Sequence, residues 1–150
     1  MTSRQIFLGV AALVLASVTP VLAPQPSAAG RIKVVSGSAF VFRDGRLVSA
    51  QAGQDVYASD RLRTGADGRI GVTLKDDTRL SLGPSSEVAI ERFAYATSDG
   101  SLGLVLKFVR GVSAYVSGRI AKLSPDAVRL ETPAAIVGVR GTSLAISVEP

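Results

Sequence analysis

The feature that most constrains the fold is an alternation of apolar and polar residues with a period of two. In residues 69–74, 79–82 and 87–91, one face carries Ile, Val or Leu and the other carries charged or small residues. This spacing is typical of short β-strands with one buried face. No stretch after residue 30 shows an apolar period of 3.6 residues, so the sequence predicts an all-β chain.

Turn signals separate these segments. Three Asp-Gly pairs, at residues 44–45, 67–68 and 99–100, lie between apolar runs and predict hairpins. Pro84 cannot donate a ladder hydrogen bond, so it belongs in a connection. Further strands are predicted at residues 32–35, 39–43, 61–64, 102–109, 112–116, 127–132, 136–139 and 144–148.

The length of 150 residues fits a single domain. Many short strands at regular spacing predict a distorted sandwich, a barrel or a solenoid-like stack. The closely spaced strands between residues 70 and 90 favour stacked rungs. Residues 102–109 are apolar on both faces, which is typical of a central strand covered on two sides.

The first thirty residues have the pattern of an export leader. Arg4 precedes an apolar run at residues 6–18, and small residues and prolines follow up to Gly30. A run of about 13 residues fits a helical signal peptide, because a spanning helix needs about 20. Cleavage after Ala23 would place a proline next to the cut, so cleavage after Ala29 is preferred. The prediction is a leader at residues 1–29 and a β domain at residues 30–150, with an uncleaved membrane anchor as the alternative.

Composition limits the possible chemistry. The chain contains no His, Cys or Trp, which removes imidazole bases, thiolates, disulfides and the usual zinc, copper and haem ligands. Basic residues outnumber acidic ones by 17 to 12, but they are spread without a contiguous stripe. Nucleic acid is therefore not an expected partner.

A series of short motifs resembles the FecR family. The motifs read GSAFV at residues 37–41, DRLRT at 60–64, LKDDTRLSLGPSS at 74–86, GV at 111–112 and VRGT at 139–142. Asp77 stands where the family usually has a glycine. The residues that carry the resemblance, with a structural role expected for most, are Gly37, Gly53, Asp60, Thr64, Asp76, Pro84, Gly111, Arg140, Gly141 and Thr142.

The resemblance implies an all-β domain in the periplasm that takes part in signalling. In the best-known members, such a domain is joined to a cytoplasmic anti-sigma segment and relays a signal from a TonB-dependent outer-membrane transporter. Neither that segment nor a full-length spanning helix is recognisable here. We therefore expect a stand-alone exported domain whose partner is an unidentified periplasmic or envelope protein, with membrane contact only through an uncleaved leader.

Several charged residues are candidate sites. Arg140 is expected either to pair with an internal carboxylate or to bind a partner's carboxylate. The oxygens of residues 76–78 suggest calcium, but a calcium site needs six to eight oxygen ligands, so a turn is the preferred interpretation. Arg61 and Arg63 share a strand face and form the best small basic patch, for which a solvated face is the preferred interpretation.

No catalytic residue, metal or cofactor is predicted. Ser85, Ser86 and Ser124 have no His or Cys to activate them, and no Gly-x-Ser-x-Gly elbow is present. Pairing of a serine with Lys75 or Lys122 is not favoured by any spacing. The expected function is therefore binding rather than catalysis.

Two kinds of binding remain open. A protein partner could add a strand to the edge formed by Leu144, Ile146 and Val148. The alternative is a module that binds envelope polysaccharide or has a structural role. Aromatic residues make up only 5 % of the chain, which disfavours the stacking surfaces that bind sugars. The sequence therefore favours the protein partner.

Overall fold

The computed structural model describes Gly9, residues 15–141 and residues 143–149. Most of the predicted leader, including Arg4, lies outside these residues. Within them the chain is predominantly β-sheet, as predicted. The strands are β1 (Gly30–Ser36), β2 (Ala39–Arg43), β3 (Arg46–Ser49), β4 (Asp55–Val56), β5 (Arg61–Thr64), β6 (Arg69–Leu74), β7 (Arg79–Leu82), β8 (Glu87–Ala96), β9 (Ser101–Val116), β10 (Val128–Glu131), β11 (Ile136–Gly138) and β12 (Ser143–Val148). A short helix, α1 (Arg119–Leu123), and a 3₁₀ turn (Pro125–Ala127) separate β9 from β10.

The strands form one curled sheet that resembles half of a barrel. Its order is β3-β2-β5-β8-β9-β7-β6-β1-β4, with β10, β11 and β12 attached beyond β9. Every described pairing is antiparallel except that of β10 with β9. The segments between residues 70 and 90 do not stack as rungs. Instead, β6 and β7 form a hairpin, and β7 and β8 follow one another along β9.

Strand β9 organises the sheet because it pairs with four other strands. Its first half lies between β8 and β10, and its second half lies between β7 and β12. The sequence predicted two strands here, at residues 102–109 and 112–116. They are one continuous strand of 16 residues with a bend at Gly111, where φ is +84°.

A corner of polar side chains accompanies this bend. The Ser86 hydroxyl donates toward the Val112 carbonyl (3.0 Å) and accepts from the Val112 N–H (2.9 Å). The Thr64 hydroxyl donates to the Gly83 carbonyl (2.6 Å) and accepts from the Ser86 N–H (2.9 Å). A side chain at Gly111 would collide with Ser86. These contacts satisfy backbone groups that the interrupted ladder leaves without strand partners.

The core consists of the inward-facing residues that the alternation predicted. Four of these side chains are fully buried, namely Leu62, Ile90, Leu104 and Leu106, and Phe108 is only 1 % exposed. Burial of such side chains contributes about 1.5–3 kcal/mol each, which makes this cluster the main source of folding free energy.

The folded domain begins before Gly30. Ala29 is buried, its N–H donates to the Val56 carbonyl (2.7 Å), and its carbonyl accepts from the Lys75 N–H (2.8 Å). A new amino terminus at Gly30 would place an ammonium group in a buried position, which is costly. Cleavage after Ala23 would preserve these contacts, whereas cleavage after Ala29 would remove them. Both cleavage sites remain predictions.

We predict that a chain beginning at Gly30 is less stable than one beginning at Ser27. The loss of two backbone hydrogen bonds should lower the free energy of unfolding by about 2 kcal/mol. Urea unfolding of the two purified chains measures the difference. Equal midpoints with equal slopes would show that Ala29 contributes nothing to the fold.

Tyr115 is a buried residue whose hydroxyl oxygen has no hydrogen-bond partner among the described groups. Burial raises the pKa of Tyr115, against a smaller opposite effect of Ser117. The Ser117 hydroxyl does not form a hydrogen bond with Tyr115, and it donates instead to the Gly141 carbonyl (2.9 Å). The neutral phenol is therefore the form that the folded state favours.

We predict that stability falls as the pH rises above about 10, the ordinary pKa of tyrosine. Above this pH the unfolded chain loses the Tyr115 proton while the folded chain retains it, so ionisation favours unfolding. Tyr115→Phe should weaken this alkaline loss and change the stability at pH 7 by no more than about 1 kcal/mol. Tyr57→Phe, at a half-buried position, is the control. Thermal unfolding between pH 7 and pH 11 measures both variants, and an identical alkaline decline in all three proteins would contradict the prediction.

Candidate functional site

A groove of about 420 Å³ opens between the last three strands of the chain. Its apolar lining includes Val128 of β10, Val137 of β11, Val139 and Leu144 of β12. Val128 and Val139 are buried, whereas Val137 and Leu144 are only half-buried. Ile136, at one end of the groove, is 68 % exposed. The groove therefore presents aliphatic surface that the described chain covers incompletely.

Arg140 lies at the turn between β11 and β12 and lines this groove. Its neighbour Gly141 has φ of +139°, which a residue with a side chain rarely adopts, and the Gly141 carbonyl accepts the Ser117 hydroxyl. The turn is thus anchored to the end of β9 while the Arg140 side chain stays exposed. No acidic residue in the described chain forms an ion pair with Arg140, so the internal carboxylate partner is not found there. Thr142 lies outside the described residues.

Two other charged residues line the groove. Arg129 is exposed and lies 3.8 Å from the Glu131 carboxylate, a long separation for an ion pair. Asp126 is exposed and also lines the groove, but no ion pair joins it to either arginine in the described structure. Because Glu131 lies beside Arg129, Arg140 is the arginine of this rim that has no ion pair in the described structure.

One edge of β12 is free in the described part of the chain, because β12 pairs only with β9. Val112 directs both its N–H and its carbonyl toward the corner of β7 and β8. The N–H and C=O groups of successive residues in a strand point to opposite edges. Those of Gly111, Ser113 and Tyr115 therefore point toward β12. Their partners Val148, Ile146 and Leu144 bond to β9, as the register shows.

The free backbone groups of β12 therefore belong to the alternate residues Ser143, Ala145 and Ser147. The predicted edge residues Leu144, Ile146 and Val148 instead turn their side chains toward the core and are half-buried. The edge is at the predicted strand, but its outward-facing residues are the alternate ones.

Asp60, one of the motif residues, is buried and forms an ion pair with the partly exposed Arg43. Its carboxylate accepts two hydrogen bonds from Arg43, at 2.8 Å and 2.6 Å, and a third from the Tyr57 N–H at 2.8 Å. The hydrogen bond to Asp60 raises the pKa of Arg43, and the guanidinium lies 4.6 Å from the centre of the Tyr57 ring. The pair joins the end of β2 to the start of β5. No sequence signal identified Arg43 as the partner.

Asp76 holds the short helix against the sheet. Its side chain accepts from the Thr78 N–H (3.1 Å), the Thr78 hydroxyl (2.8 Å) and the Ile120 N–H (3.3 Å). Its carbonyl accepts from the Arg119 N–H (2.7 Å). Asp76 therefore satisfies orphan donors at the start of α1, and no cluster of metal-ligating residues occurs among the described residues.

The remaining motif residues lie at turns and at the corner. Gly37 has φ of +64°, and a side chain there would collide with the Asp67 backbone. Gly53 has φ of +89° in a turn before β4. Thr64, Pro84 and Gly111 come together at the corner where β9 bends.

The family model described as FecR protein matches residues 60–150, which is more than half of the chain. The chain belongs to the FecR family. The match begins at Asp60 and spans the corner, Asp76, the groove and β12. The FecR motif residues Gly37 and Gly53 precede it. No curated protein and no solved structure matches the chain.

Of Ser85, Ser86 and Ser124, the three candidate nucleophiles, Ser86 has a structural role in this FecR-family chain. Ser86 is fully buried, and its hydroxyl contacts the carbonyls of Pro84 and Val112. The predicted basic patch of Arg61 and Arg63 has less free positive charge than expected, because Arg63 pairs with Glu87 at 2.8 Å. Arg61 is exposed. Among the described residues, no helix has both the length and the apolarity needed to cross a membrane.

We predict that Arg43→Ala destabilises the FecR-family domain by about 3 kcal/mol. The substitution leaves the Asp60 carboxylate buried without its cation, and the partial exposure of Arg43 keeps the cost at the lower end of the range for such pairs. Arg69→Ala, which removes an exposed arginine of β6, should change stability by less than about 0.5 kcal/mol. Urea unfolding measures the free energy of unfolding of both variants. Equal losses would show that the Arg43–Asp60 pair contributes no more to stability than an exposed arginine does.

Proposed function

We propose that this FecR-family domain is a non-catalytic module that relays a signal in the cell envelope by binding a protein partner along β12. The family membership supports a role in signal transduction. The leader pattern at residues 1–29 supports export to the periplasm. The partner is a periplasmic or envelope protein that supplies an extended segment.

The observation that carries this proposal is the contrast between β12 and the other edges. Exposed edges are normally protected by charge, by proline or by short length. In the described sheet, β4 has two residues, β11 has three, and β3 has four including the exposed Arg46. The part of β8 that extends beyond its pairing with β5 carries the exposed charged residues Glu91 and Arg92. Strand β12 has six residues and carries no charge. It is therefore the edge best suited to accept another strand.

A binding function also agrees with the placement of the polar residues. The buried Asp60 and Asp76 are fully engaged in contacts within the fold, and the Ser86 hydroxyl is engaged in the corner. These groups support the strands. Asp60 also lines a cavity of about 310 Å³, but its carboxylate there already accepts hydrogen bonds from Arg43 and from the Tyr57 N–H. The exposed surface near β12 offers backbone groups, aliphatic side chains and arginine, which suits recognition of a polypeptide.

The alternative of a polysaccharide-binding module has less support. Sugar binding commonly uses exposed aromatic faces. Every Phe and Tyr in the described part of the chain is buried or half-buried. The groove beside β12 is lined by aliphatic residues rather than by rings.

The proposal predicts that a photo-crosslinking residue at Ser147 captures a protein in living cells that encode this domain. Ser147 is exposed and carries free backbone groups on β12. Adding Ala145→Pro should abolish the adduct, because proline removes a free donor of the edge but no hydrogen bond to β9. Mass spectrometry of the adduct and cell fractionation measure the partner and its compartment.

Leu47→Pro is the matched control. The Ala50 N–H donates to the Ala39 carbonyl, so alternation directs the Leu47 backbone away from β2 at the other edge. This variant should leave the Ser147 adduct intact. An adduct that survives Ala145→Pro, or that Leu47→Pro alone removes, would contradict the proposal.

A further inference from the structure

We propose that the segment added to β12 places an aliphatic side chain in the adjoining groove and an acidic side chain against Arg140. This inference rests on the proposed function and specifies the chemistry of the partner. The described structure brings the free edge, the apolar groove and an unpaired arginine together at one place.

The first step is the position of the groove relative to the free edge. Strands β10 and β12 lie on the same edge of β9, because β8 and β7 occupy the other edge along both of its halves. Strand β11 extends one strand beyond β10, but no described strand lies beyond β12. A strand added about 4.8 Å from β12 would therefore cover the surface that faces β11.

The second step is the character of that surface. Val137 and Leu144 both line the groove and are only half-buried. The volume of about 420 Å³ is larger than any single side chain and lies in the range of peptide and ligand pockets. An added strand turns alternate side chains toward this surface. An aliphatic residue there would complete the burial of Val137 and Leu144.

The third step is charge. Arg140 lies where the turn enters β12, so it flanks the end of an added strand next to Ser143. Its guanidinium is exposed and has no ion pair in the described structure, and Arg129 lies on the same rim. Glu131 lies beside Arg129, and Asp126 forms no ion pair with Arg140 in the described structure, so Arg140 is the arginine left to bind a partner. Arginine binds carboxylates through two parallel hydrogen bonds, so an acidic side chain suits this position better than a neutral or basic one.

The test uses three synthetic nonapeptides with blocked ends and the full chain. Each peptide alternates valine and threonine, and the residues next to its two ends are both glutamate, both glutamine or both lysine. Fluorescence anisotropy at low salt measures their dissociation constants. We expect the glutamate peptide to bind about fivefold more tightly than the glutamine peptide, with the lysine peptide weakest. Raising the salt concentration should reduce this difference.

Variants of the protein separate the contribution of Arg140 from that of the apolar groove. Arg140→Gln should bring the glutamate and glutamine peptides within about twofold of each other while leaving the glutamine peptide unchanged. Arg69→Gln, at an exposed arginine of β6, should leave all three affinities unchanged. Val137→Thr keeps the shape of the side chain but makes the groove more polar, so it should weaken all three peptides alike.

Two outcomes distinguish this inference from the proposed function. If Ala145→Pro abolishes binding but the three peptides bind equally, the edge is used and the acidic preference is wrong. If binding is unaffected by Ala145→Pro, the edge proposal itself fails. Absence of binding by every peptide at millimolar concentration would also overturn the inference.

Discussion

The sheet depends on the passage of β9 through the corner at Gly111. A 16-residue strand that bends once can pair with different neighbours before and after the bend, and this is how one strand serves four others. The bend interrupts the ladder, and unsatisfied backbone groups in a buried corner would be costly. The Ser86 and Thr64 hydroxyls replace the missing ladder contacts, so two small polar side chains make the long strand possible.

The other buried polar groups act on the connections between strands. The Arg43–Asp60 pair joins the end of β2 to the start of β5, and Asp76 holds the start of α1. Helix α1 leads through the 3₁₀ turn into β10, and β10 supplies one wall of the groove. The position of the groove therefore depends on Asp76, even though Asp76 does not line it. Contacts that define the fold also position the surface that we propose binds a partner.

The all-β class followed from the period-two alternation, because a half-buried strand imposes that pattern on its own residues. The Asp44–Gly45 turn was likewise a local signal, and both residues have positive φ. The continuity of β9 was not visible, since Arg110 and Gly111 resemble a break when only the neighbouring residues are considered. The sequence also could not predict which residue pairs with Asp60. Arg43 lies 17 residues away in the chain, and many other arginines could have formed the pair.

For the candidate site too, local sequence patterns predicted one part, and contacts between residues far apart in the chain determine the rest. The sequence predicted a partner edge at Leu144, Ile146 and Val148, because alternate apolar residues are what marks a strand in a sequence. Which backbone groups remain free depends on the register with β9, and that register is fixed by the corner at Val112. The groove required the positions of β10, β11 and β12 relative to one another, which no local pattern encodes.

The alternation along β12 has an evolutionary consequence. Leu144, Ile146 and Val148 maintain the attachment to β9, whereas the exposed side chains of Ala145 and Ser147 make little contact with the core. Natural selection can therefore alter the second set while leaving the first intact. Descendants of one ancestral domain could diverge in what they recognise, at neighbouring positions of a six-residue strand, without sacrificing a common architecture.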